Sequence, residues 1–185
     1  MNLNRRLGIG ALACGLAAPL AGNPYRPPRA GFDVAAAAQL IMTGREHVKA
    51  IELAAWIRDR KPGLRLIDVR APEQFGLDAI PTAENLPLDA LLRTSFAPHE
   101  CIVLYSEQGA HAGQTWTLLR TMGILNAWFI AGGLADWHDE VLAPVLARDA
   151  DPALAELSRY FGGVPTLGEG VASDIKTARS RRRGC

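Results

Sequence analysis

Three short, mainly apolar runs, at residues 64–69 (broken by Arg65 and Asp68), 101–105 and 127–130, restrict this chain more than any other feature. An apolar run of that length is what a strand looks like when both its faces are buried. Between the second and third runs, residues 113–122 carry Trp116, Leu118, Leu119 and Met122 at helical spacing and stop at Gly123. Ahead of the first run, residues 51–60 place Ile51, Leu53, Ala54, Ala55, Trp56 and Ile57 on a helix that ends at Lys61-Pro62-Gly63. Buried strands alternating with helices predict an α/β domain whose mostly parallel sheet is covered by helices on both faces. Ligands of such sheets bind outside the carboxyl ends of the strands. That rule singles out Ser106, which directly follows Tyr105.

The flanks read differently. Arg5 and Arg6 precede an apolar, small-residue stretch over residues 7–18, followed by Pro19-Leu20-Ala21-Gly22. Residues 1–22 are therefore expected to be a secretion signal, and the product periplasmic or secreted. The stretch is well short of the roughly 20 residues needed to cross a bilayer, which favours a removed signal over an anchor. Ala11-Leu12-Ala13-Cys14-Gly15 resembles a lipobox with its leucine one place out of register, so membrane contact is expected only if Cys14 is lipidated.

Residues 23–45, with Pro24, Pro27 and Pro28, read as a linker and a short helix capped by Asp33 and stopped at Gly44. Residues 46–141 are the main domain, and 142–162 a helical extension in which Asp151-Pro152 starts a helix. Residues 163–185 are expected to be a disordered basic tail, with Lys176, Arg179, Arg181, Arg182 and Arg183 near its end. The net charge of +1 hides this concentration and leaves the body slightly acidic.

Three segments carry a family resemblance. The first is Leu66-Ile67-Asp68-Val69-Arg70-Ala71-Pro72-Glu73-Gln74-Phe75, followed by Ile80-Pro81-Thr82-Ala83-Glu84-Asn85. The second is Val103-Leu104-Tyr105-Ser106-Glu107-Gln108-Gly109-Ala110-His111, leading into a helix. The third is Gly132-Gly133-Leu134-Ala135-Asp136-Trp137. In this order and spacing they resemble the rhodanese-like domain family. The resemblance implies a central sheet of about five strands, and an anion-binding loop formed by Ser106, Glu107, Gln108, Gly109, Ala110 and His111. Backbone N–H groups curled at a helix N-terminus make such a concavity. Asp68, Arg70, Gly132, Gly133 and Trp137 are the other family-motif positions, with Trp137 expected to pack the fold.

The departures carry the functional expectation. The resemblance implies a thiolate that takes up sulfur as a persulfide at the position of Ser106. A serine hydroxyl cannot hold a persulfide, and without an adjacent base it stays protonated. His111 stands where the family often has arginine, exchanging a permanently charged planar fork for an imidazole. Glu107 adds a negative charge beside the loop. These changes predict a domain without standard thiosulfate sulfurtransferase activity, acting on a small anion, a sulfur-containing ligand or a protein partner.

Other readings remain. A hydrolase would need Ser106 and His111 as nucleophile and base, with the imidazole oriented by Asp68 or Glu107; a loop with inward N–H groups tends to leave its last side chain at the rim. A sulfur carrier would use Cys185 on the tail, because Cys101 lies in a strand and is expected to be a buried, inert thiol. His47 next to Glu46 lacks a third ligand and reads as a structural histidine. No metal, cofactor or nucleic acid is expected.

Overall fold

In the computed structural model, residues 33–168 are described. The residues 1–22 expected to be a signal, with Cys14, and the chain beyond residue 168, with Cys185, lie outside them. The chain runs through helix α1 (Val34–Thr43), β1 (His47–Val48), α2 (Ala50–Arg58), β2 (Leu64–Asp68), α3 (Pro72–Leu77) and β3 (Glu84–Asn85). It continues with α4 (Leu88–Leu91), β4 (Cys101–Tyr105), α5 (Ala110–Thr121), β5 (Ala127–Ile130) and α6 (Gly133–Trp137). A π-helical turn over His138–Leu142, β6 (Val145–Leu146), α7 (Pro152–Tyr160) and β7 (Thr166–Leu167) complete it.

Five strands form one sheet in the order β1-β5-β4-β2-β3, each pair parallel. The expected α/β architecture is thus present, with two-residue strands at both edges that no apolar run announced. Short edges of this kind leave little unpaired backbone to recruit another strand. Side chains alternate across the sheet. Leu66, Val103, Tyr105 and Ile130 join Leu53, Ala54 and Ile57 of α2 with Leu134, Trp137, Val141 and Leu157 in one buried cluster. Ile102 and Leu104 belong to the opposite face, where α5 packs on β4 and β5 and Trp116 meets Phe129 with ring centres 6.1 Å apart.

Asp33 accepts the Ala36 N–H at 3.0 Å and Gly44 closes α1 at φ 65, both as its sequence implies. Helix α5 starts three residues earlier than expected. Gly113 looked like a helix start, but it sits inside the helix with Phe129 against it, and Gly109 at φ 82 makes the entry. The region after Trp137 also departs from a plain helical extension. At Ala143 the backbone leaves helical geometry (φ −131), and Val145–Leu146 pairs in parallel with Thr166–Leu167. Part of the segment expected to be a disordered tail, up to residue 168, is therefore tied into the domain by strand hydrogen bonds.

Candidate functional site

Asp68 and Tyr105 are register partners at the last positions of β2 and β4. The segments that follow them, Val69-Arg70 and the loop from Ser106, emerge side by side at the carboxyl edge of the sheet. Asp68 is fully buried, and its carboxylate is turned back on its own chain. It accepts the Arg70 backbone N–H at 2.8 Å, Nε at 3.0 Å and Nη2 at 2.7 Å. Arg70 also donates to Glu107 Oε2, 2.8 Å from Nη1, and to the Asp78 carbonyl, 2.5 Å from Nη2. Asn85 donates from its amide to the carbonyls of Asp68 and Arg70, which is the physical role of the asparagine in the Ile80–Asn85 run.

This pairing has electrostatic consequences. The hydrogen bond to Asp68, opposed by burial and reinforced by Glu107, raises the Arg70 pKa beyond an already high arginine value, so the guanidinium is a permanent charge. Burial, reinforced by the neighbouring Asp68 carboxylate, pushes the Tyr105 phenol well above its ordinary range. Tyr105 is thus a neutral hydroxyl, and it accepts the Ile80 N–H at 3.2 Å.

The loop itself is fastened by glycines. Gly133 has φ 63, and a Cβ there would run into the Ser106 carbonyl oxygen; at Gly109 it would meet that of Ala131. Close approach lets the Ser106 carbonyl accept the Leu134 N–H at 2.9 Å and the Glu107 carbonyl accept the Ala135 N–H at 3.1 Å. Gly132 donates its N–H to Asp136 Oδ2 at 3.1 Å, which closes the turn on itself. Ser106 is 2% exposed, and its Oγ accepts the Ala112 N–H at 3.3 Å. Trp137 is buried and meets the Phe161 ring edge-on at 5.0 Å, so it packs the turn against the C-terminal extension rather than serving the loop.

The structure brings together Asp68, Arg70, Ser106, Glu107, Gly109, Gly132 and Gly133. It does not assemble a Ser–His pair. His111 is exposed, and it is its backbone carbonyl that accepts a hydrogen bond, from Thr115 Oγ1 at 2.8 Å. Asp68 and Glu107, the two candidate orienting acids, are both committed to Arg70. The charge of Glu107 is accordingly paired, but it shares one guanidinium with Asp68, so the three side chains keep one net negative charge beside the loop. Gln108 and Ala110 are exposed at its rim.

Cys101 is half-buried at the opposite end of β4 from the loop, and burial, opposed by Lys61, raises its thiol pKa. His47 Nδ1 lies 3.0 Å from Glu46 Oε1, and among the described residues no three metal-ligating side chains gather. No described helix is long and apolar enough to cross a membrane.

Sequence reasoning missed one pair near the site. His138 Nε2 is 2.7 Å from Asp78 Oδ2, and the carbonyl of the same Asp78 holds Arg70. These two residues are 60 apart in sequence, and neither lies in a motif that could have drawn attention to the other.

Residues 49–140 match the family model of the rhodanese-like domain. No curated protein matches the chain. Among solved structures, it is similar to the rhodanese-like domain of an Anabaena protein at 24% identity, covering 50% of this chain and 72% of that one with a TM-score of 0.46. A rhodanese-like domain protein from Staphylococcus aureus gives 25% identity, 51% and 93% coverage, and a TM-score of 0.46. A rhodanese-related protein from Thermoplasma volcanium gives 20% identity, 50% and 89% coverage, and a TM-score of 0.42. With the family model spanning strands β2 to β5, the Asp68–Arg70 turn, the loop and the Gly132-Gly133 turn, the chain belongs to the rhodanese-like domain family.

Proposed function

We propose that this chain is an exported rhodanese-like module that binds a small anion or a protein partner at its Ser106–His111 loop and performs no thiosulfate sulfur transfer there. The observation that carries the reading is Ser106, buried at the head of the loop with Oγ held by the Ala112 N–H. Sulfur transfer needs a sulfur nucleophile that can form and release an S–S bond, and a hydroxyl supplies neither step. Activation of the hydroxyl as an oxygen nucleophile would need a base on Oγ. The acids nearest in sequence and space are occupied by Arg70, and the His111 side chain is exposed. The leader-like residues 1–22 support export.

The test is the transfer of sulfur from thiosulfate to cyanide by the full chain, beside Ser106→Ala. No turnover above buffer is expected from either protein. Turnover by the unaltered chain would sink the reading, and its survival in Ser106→Ala would move the sulfur to another residue.

A further inference from the structure

Arg70 and Glu107 form an ion pair of unequal partners. The Arg70 side chain is 5% exposed and is held from behind by Asp68 and the Asp78 carbonyl, whereas the Glu107 side chain is 59% exposed. The guanidinium therefore cannot leave the pair, and the carboxylate can. Swinging Glu107 out does not disturb the loop, because its backbone carbonyl stays on the Ala135 N–H. A carboxylate on a guanidinium also has the geometry with which an external oxyanion would bind the same group.

We propose that Glu107 is a built-in competitor, its carboxylate occupying Arg70 where a small oxyanion such as sulfate or thiosulfate would otherwise dock. Such an anion binds by displacing the Glu107 side chain, so its apparent affinity is the intrinsic one scaled by the fraction of molecules in which Glu107 is away. With Asp68 and Glu107 both on Arg70, the three side chains sum to one negative charge, which also opposes an approaching dianion. Glu107 thus sets which charge the loop accepts. The inference rests on the reading of the loop as a binding site, and it holds whether or not sulfur is transferred there.

The experiment titrates the full chain with sodium sulfate at constant ionic strength, following the amide resonances of Gly109 and Ala112. It compares the unaltered chain, Glu107→Gln and the charge control Glu52→Gln, an exposed residue of α2. Glu107→Gln should bind sulfate about tenfold tighter, the open fraction having been the restraint, while Glu52→Gln behaves as the unaltered chain. Equal affinity in Glu107→Gln and the unaltered chain, equal tightening in both variants, or no saturable shift in any of the three overturns the proposal. Sulfur transfer by the unaltered chain would end the proposed function and leave this ordering intact; a flat sulfate series would end this proposal and leave the lack of turnover intact.

Discussion

The carbonyl of Ser106 accepts the N–H of Leu134 at 2.9 Å, which ties the head of the loop to the glycine turn 27 residues downstream in space as well as in family pattern. Gly133 makes this contact with φ 63 and no side chain between the two backbones. An alanine at that position would cost about 1–2 kcal/mol in backbone conformation alone, and its Cβ would collide with the Ser106 carbonyl oxygen besides. Gly133→Ala is expected to lower the urea midpoint and shift the Ser106 to Ala112 amide resonances together. A variant with unchanged midpoint and spectrum would contradict this account of the turn.

Arg70→Ala should cost about 3–5 kcal/mol in chemical denaturation, because it leaves the buried Asp68 carboxylate without its partner. Arg70→Lys keeps the charge and loses the fork that serves Asp68, Glu107 and the Asp78 carbonyl together, so it should fall between the two. If Arg70→Ala were neutral, the Asp68–Arg70 pair would not be the support of this edge of the sheet.

Tyr105 gives the stability a defined pH dependence. Its folded phenol holds its proton above the ordinary value of 10.0. As pH rises past 10, the unfolded chain therefore loses this proton before the folded one does. The folded state then binds more protons, so stability is intact below that pH and declines above it. Comparing unfolding free energies at neutral and strongly alkaline pH, Tyr105→Phe should flatten part of this decline. It should also lose about 1 kcal/mol throughout, since the Ile80 N–H forfeits its acceptor. An identical alkaline slope in both proteins would rule out this assignment.

Burial raises the Cys101 thiol pKa, and the thiolate is the reactive form. At mildly alkaline pH, iodoacetamide should label Cys101 far more slowly in the folded chain than in urea, as read by peptide mass mapping. Equal rates would mean that this thiol is open to chemistry at the far end of β4.

Much of this architecture was legible because the central strands are largely buried on both faces: Cys101–Tyr105 and Ala127–Ile130 read as unbroken apolar runs, and Leu64–Asp68 is apolar apart from Arg65 and Asp68. Cys101–Tyr105 and Ala127–Ile130 have the expected bounds, and Leu64–Asp68 ends one residue early. The edge strands His47–Val48 and Glu84–Asn85 are too short to show any period. The pairing of Val145–Leu146 with Thr166–Leu167 joins two segments whose exposed side chains carry no alternation. At the site, motif order located Asp68, Arg70, Ser106 and the glycines, because each sits at a strand end or a turn with special backbone needs. The links Glu107 to Arg70 and His138 to Asp78 depend on which loops the fold brings together, and no local pattern encodes that.

The central claim is that the loop headed by Ser106 holds no sulfur. The most direct measurement is mass mapping of the full chain after exposure to thiosulfate or polysulfide, beside Ser106→Cys. The account predicts one added sulfur on the loop peptide of Ser106→Cys and none on that of the unaltered chain, with the Cys101 and Cys185 peptides unchanged in both. An added sulfur on the Ser106 peptide of the unaltered chain, or on Cys185 together with turnover, would contradict it.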